Sequence, residues 1–143
     1  MMKLSTAQLF DYCKNQQINL TSQQSLIIEI IANNQEPLTV HDILLNLRQI
    51  NPKANRMTIH RALEFLIKAE LIHKVTFNHT YKLCNHLYCN HEHHCQILIC
   101  QICGKQIEVH NPQVTLVLQE ASKTHGFIIT NPVEITGKCQ QCN

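Results

Sequence analysis

Cys100-Gln-Ile-Cys103 and Cys139-Gln-Gln-Cys142 are two C-x2-C units. A Zn2+ ion takes four ligands at the corners of a tetrahedron, and two such pairs supply four thiolates to one ion. Residues 104–138 separate the pairs, a longer stretch than a compact zinc ribbon holds, so the second pair must return to the first around a folded module. The metal then works as a staple. The alternative is a set of buried free thiols or disulfides, but doubled C-x2-C spacing is hard to reach by accident. A second concentration of metal-type side chains precedes the first pair: Cys84, His86, Cys89, His91, Glu92, His93, His94 and Cys95, with His73 and Glu108 outside the run. A site mixing His, Cys and carboxylate binds metal in a pH-sensitive way, because each ligand must be deprotonated. The sharper reading is therefore a second, exchangeable site, and the plainer one is a solvated polar loop.

The chain of 143 residues is long enough for one ordinary domain or two small ones. Two small cores would gain from a metal or a partner chain. With 44% hydrophobic residues and few Gly and Pro, the composition is that of a globular protein. Met1 to Cys13 lacks the apolar stretch of a signal peptide, and Glu29 interrupts the most apolar run, so a cytoplasmic protein without a membrane segment is expected. Eight cysteines in a reducing compartment read as metal ligands before disulfides. The net charge is only +2, but residues 1–83 carry nine Lys or Arg against six Asp or Glu, whereas residues 84–143 carry three against four. Arg48, Lys53, Arg56, Arg61, Lys68 and Lys74 face only Glu64 and Glu70, which marks a surface for a phosphate backbone. A solvated charged face is the competing explanation until the fold is considered.

These side chains need positioning elements. Leu9, Phe10 and Cys13 suggest a short amphipathic helix over residues 6–16. Thr21 or Ser22 caps a second helix carrying Leu26, Ile27, Ile30 and Ile31. Thr39 with Asp42 forms a capping-box pattern for a third, with Ile43, Leu44, Leu47 and Ile50 on one face. Asn55 caps a fourth, running to Ala69, whose buried stripe is Ile59, Leu63, Leu66 and Ile67. Thr58, Arg61 and Lys68 then point away from the core. Residues 71–77 and 80–83 have strand character and join at Asn78-His79. Helices followed by a hairpin are the order of a winged helix-turn-helix, whose second motif helix enters the major groove. Beyond Cys84, strands are expected at residues 95–99 and 106–109. A helix follows, capped by Asn111, opened by Pro112 and carrying Val114, Val117, Leu118 and Ala121, and another strand region spans residues 127–135, with Pro132 as a candidate break.

The segment Thr58-Ile59-His60-Arg61-Ala62-Leu63-Glu64-Phe65-Leu66, then Leu71-Ile72-His73-Lys74-Val75, the His-rich run, Cys100-x2-Cys103-Gly104 and Gly137-x-Cys139-x2-Cys142 carry a resemblance over nearly the whole chain. It resembles the ferric uptake regulator family, most closely its zinc uptake regulator branch. The resemblance implies an α+β protein: a winged helix-turn-helix DNA-binding domain, residues 1–84, followed by a small zinc-stapled α/β dimerisation domain, residues 85–143. It also implies a zinc-responsive repressor of zinc uptake genes that binds operator DNA as a metal-loaded homodimer, with two Zn2+ per chain. Structural zinc falls on Cys100, Cys103, Cys139 and Cys142, and regulatory zinc on His73, Cys84, His93 and Glu108. Arg61, His60, Thr58, Arg56 and His41 are the residues set toward DNA. Three departures stand out. His60 occupies the position where the family usually has Tyr, Gln24 stands where many members have Arg, and Asn131-Pro132-Val133 lacks the His of iron-sensing members, which favours zinc.

An iron- or peroxide-responsive member of the family is the nearest rival, and a zinc-buffering metallochaperone is the rival of another class, although a buffer has no need of a winged helix. Enzyme motifs are absent. Cys95 stands where the second His of HExxH belongs, no H-x-E with Pro precedes a C-x2-C as in zinc deaminases, and two pairs suit one tetrahedron better than redox exchange. No small-molecule substrate is expected.

Overall fold

The structure is a computed structural model that describes residues 4–85 and 95–143. The chain divides into two compact units, Met1–Tyr88 and Cys89–Asn143.

In the first unit, helices α1 (Thr6–Asn15), α2 (Ser22–Asn33), α3 (Val40–Ile50) and α4 (Arg56–Lys68) precede the strands β1 (Ile72–Val75) and β2 (Thr80–Leu83). Local chemistry sets each helix start. Ser5 with Gln8, Thr21 with Gln24 and Thr39 with Asp42 form capping boxes, and Asn55 accepts from the Thr58 amide. Gln24, where many family members carry Arg, thus closes the first turn of α2, its side chain accepting from the Thr21 amide at 2.9 Å. The buried stripes converge on one core that includes Leu9, Ile27, Ile28, Ile43, Leu47, Ile59, Leu63 and Leu66. α2, α3 and α4 pack on one another, and β1 and β2 pair antiparallel with Ile72 opposite Leu83. His79, at φ 54°, takes the left-handed conformation that turns the hairpin. This is a winged helix. Ile50, expected on the same face as Ile43, Leu44 and Leu47, is exposed because it is the last residue of α3, beyond the turn in which Leu47 is buried.

The second unit contains β3 (Gln96–Cys100), β4 (Gln106–Val109), α5 (Pro112–Thr124) and β5 (Val133–Gly137). β3 is the central strand, antiparallel to β4 and parallel to β5. Asn111 caps α5 through the amides of Gln113 and Val114, with Pro112 at the first position. One expectation needs correction here. The strand expected over residues 127–135 starts only at Val133. Pro132 has no N–H for a ladder, and Val133 makes the first bond, donating to the Cys95 carbonyl at 3.0 Å. The apolar positions of α5 are not covered within the chain: no α5 residue is buried, and Val117 is 63% exposed. On the sheet, Leu98 lies between Ile107 and Ile135 in register, and all three are exposed. No described helix is long and apolar enough to cross a membrane.

Candidate metal centre and nucleic-acid interface

Parallel pairing brings the two C-x2-C units together. Cys100, the last residue of β3, stands opposite Gly137, the last of β5, and the next amide, Gln101, donates to the Gly137 carbonyl at 2.8 Å. The chain then needs only one residue, Lys138, to reach Cys139. After Cys100 it reverses through a turn in which the Gly104 amide donates to the Cys100 carbonyl at 3.0 Å. Gly104 has φ 76°, a conformation that side chains disfavour. That reversal sets Cys103 back over Cys100.

The thiol sulfurs of Cys100, Cys103, Cys139 and Cys142 all lie within 4.8 Å of one another, and those of Cys103 and Cys139 are 3.7 Å apart. Zinc–sulfur bonds of about 2.3 Å in a tetrahedron place sulfurs roughly 3.8 Å apart, so the arrangement fits zinc. Backbone amides prepare the thiolate state at one corner. The Cys103 amide, then those of Cys139 and Ile102, lower the Cys100 pKa to about 6, and the Cys139 amide lies 3.4 Å from its sulfur. Cys142 goes the other way. Its thiol is pushed up to about 12, first by hydrogen bonding with Cys139 and then with Cys103. Thiols this close cannot all ionise together without a cation among them.

The residues expected to hold regulatory zinc are distributed differently. His73 lies on β1 opposite Lys82, and the Cys84 amide donates to the Leu71 carbonyl at 3.0 Å just past β2. Antiparallel pairing puts His73 and Cys84 diagonally on one face of the hairpin, and both are buried. Glu108 belongs to the second unit, on β4 opposite Ile97, and is only 3% exposed. A carboxylate so far from water needs hydrogen bonds, a counter-charge or a metal. His93 lies outside the described residues, as do His86, Cys89, His91, Glu92 and His94. His110 was not singled out by sequence, yet its Nδ1 is 3.9 Å from the Cys95 sulfur. Nothing in its sequence surroundings marked it, because it stands apart from the His-rich run.

On the winged-helix unit, Arg56, His60, Arg61 and Lys68 are exposed along α4, opposite the buried Ile59, Ala62, Leu63 and Leu66. His41, in the first turn of α3, is exposed as well, and an Arg56 guanidinium nitrogen lies 3.4 Å from its Nδ1. Thr58 is half-buried and less available. Its amide and hydroxyl both donate to the Asn55 side chain, at 3.0 and 3.1 Å. Its first task is to hold the start of α4.

The ferric uptake regulator family model matches residues 15–135. The zinc uptake regulation protein of Escherichia coli (strain K12) is 29% identical over 137 residues, which cover 95% of this chain and 80% of that protein. The ferric uptake regulation protein of Campylobacter jejuni subsp. jejuni is 27% identical over 132 residues, covering 88% of this chain and 80% of its own. Among solved structures, a zinc uptake regulator complexed with zinc and DNA superposes with a TM-score of 0.82 at 29% identity, covering 96% of this chain and 91% of the other. The family match spans most of the sequence, and it includes the winged helix with its exposed basic α4 and the first C-x2-C pair; the chain belongs to the ferric uptake regulator family.

Proposed function

We propose that this protein is a zinc-responsive transcriptional repressor that binds operator DNA as a homodimer and controls zinc uptake genes. The observation that carries the reading is the combination, in one chain, of a winged helix with an exposed basic α4 and a four-cysteine centre that fits zinc, on the fold of a regulator solved with zinc and DNA. Cys100, Cys103, Cys139 and Cys142 hold a structural zinc. When bound there, the metal cross-links the ends of β3 and β5 and adds folding free energy. The exposed row Leu98, Ile107 and Ile135 and the uncovered apolar positions of α5 are the surface that a second copy buries.

A second zinc per chain is assigned to His73, Cys84, His93 and Glu108. The support is the donor chemistry, the burial of His73, Cys84 and Glu108, and the resemblance to the zinc-sensing branch. His73 and Cys84 come from the hairpin that follows α4, whereas Glu108 comes from the second unit, so ligands drawn from both couple metal occupancy to the DNA-binding unit. Bound zinc favours the DNA-competent arrangement by as much as it binds that arrangement more tightly. Arg61 reads base edges in the major groove, His60 stands beside it, Arg56 and His41 meet phosphate, and Thr58 supports the helix start. The test is retention of DNA from a random-sequence pool by the protein with zinc and after chelation. Enrichment of one sequence that depends on zinc supports the repressor. Tight zinc binding with no DNA retention points instead to a zinc buffer, and retention driven by iron points to the iron-sensing alternative.

A further inference from the structure

The contact between His41 and Arg56 bears on which protonation state the pair can hydrogen-bond in. Arg56 can only donate, so a guanidinium nitrogen 3.4 Å from the His41 Nδ1 requires that nitrogen to offer a lone pair. A hydrogen bond between them needs a neutral ring with its proton on Nε2. A charged His41 has no lone pair to offer and would set two cations against each other. The two residues come from different helices, His41 from the first turn of α3 and Arg56 from the first residue of α4, and both are exposed. An anion placed between them reverses the preference, because both cations can then donate to its oxygens.

Resting on the reading of this unit as DNA-binding, we propose that His41 takes up one proton per chain when operator DNA binds, and that the resulting imidazolium and Arg56 clamp one backbone phosphate. The balance is simple: a solvent proton adds to Nδ1, the Arg56–His41 contact opens, and both side chains donate to phosphate oxygens. The charged groups around His41 divide in their effect. On α3, Asp42 favours the cation, although its carboxylate already accepts from the Thr39 amide at 3.0 Å and hydroxyl at 2.8 Å. From α4, Arg56 opposes it. The one ionisable residue of α2, the other helix packed on α3, is Glu29. Histidine changes charge between about pH 5 and 8, so the device works near neutral pH. Operator affinity thereby responds to acidity as well as to metal.

The experiment uses zinc-saturated, full-length protein and the duplex it retains from a random-sequence pool. Histidine-selective NMR on wild type at about pH 7 should show His41 neutral when free and charged on the duplex. In parallel, the pH dependence of affinity is measured for wild type and His41→Gln, which keeps a neutral acceptor for Arg56. The wild-type dimer, taking up one proton on each of its two chains, should tighten by up to about a hundredfold more per unit of falling pH than the variant, the linkage slope of two protons. Proton uptake measured calorimetrically in buffers of different ionisation enthalpy should fall by one per chain in the variant. An identical charge state of His41 in free and bound wild type overturns the proposal, and so do equal slopes in the two proteins. A pool from which wild type retains no duplex at any pH overturns the DNA-binding reading itself, a different outcome from binding without proton uptake.

Discussion

Asp42 illustrates how single residues hold this fold. It is the third residue of α3, and its carboxylate accepts from the Thr39 amide, while its own amide donates back to the Thr39 hydroxyl at 3.1 Å. The backbone N–H of Thr39, followed by its hydroxyl, lowers the Asp42 pKa below the ordinary carboxylate value. A depressed folded pKa means stability that is present above the unfolded value and lost as pH falls through the folded one. Asp42→Asn should therefore destabilise the protein near neutrality, and the gap from wild type should close in acid, as urea melts from about pH 7 down to 3 would report. A pH-independent gap would contradict the ionised cap. At the metal centre, Cys103→Ser should lose one tightly held zinc per chain, since apparent zinc binding in closed sites reaches roughly 10 kcal/mol or more. Native mass spectrometry counts the metal, and unchanged stoichiometry would refute the assignment. On α4, Arg61→Ala should cost about 1 to 3 kcal/mol on the specific duplex and far less on random DNA. Equal losses on both would make Arg61 a phosphate contact.

At the scale of elements, the helix starts were legible because capping is local chemistry: Thr39, Asn55 and Asn111 name their own positions, and each is observed as a cap. The cysteine spacing was equally direct, since C-x2-C needs only a turn. What the sequence could not show was which apolar faces this chain covers by itself. Val114 and Val117 have the periodicity of a buried stripe, and periodicity does not say whether the covering surface comes from the same chain. Nor could residues 127–135 reveal that Phe127 and Ile128 precede the strand instead of forming it, because the start of β5 is set by pairing with β3. These exposed positions lead to a prediction about α5. Val117→Asp should leave the winged helix folded by circular dichroism but shift the proposed dimer to monomer in sedimentation, because a carboxylate buried at an apolar interface is costly. A dimer of unchanged strength would place the interface elsewhere.

The whole molecule joins a winged-helix unit to one that carries the four-cysteine cluster, and the proposed ligands His73, Cys84, His93 and Glu108 are divided between them. The family resemblance supplied that set, whereas composition and periodicity stopped at a metal-rich chain with a basic winged helix. Coupling between zinc and DNA of about 1 to 3 kcal/mol corresponds to roughly 5- to 150-fold tighter operator binding, and by reciprocity operator tightens zinc by the same factor. Removing one ligand should abolish that coupling without unfolding either unit. The decisive measurement is a zinc titration of wild type and Cys84→Ser with fluorescently labelled operator, both proteins keeping their structural zinc. Wild type should gain affinity within that range while Cys84→Ser stays at its metal-free level. If the variant gains affinity as wild type does, zinc does not act through Cys84, and the assigned regulatory site is wrong.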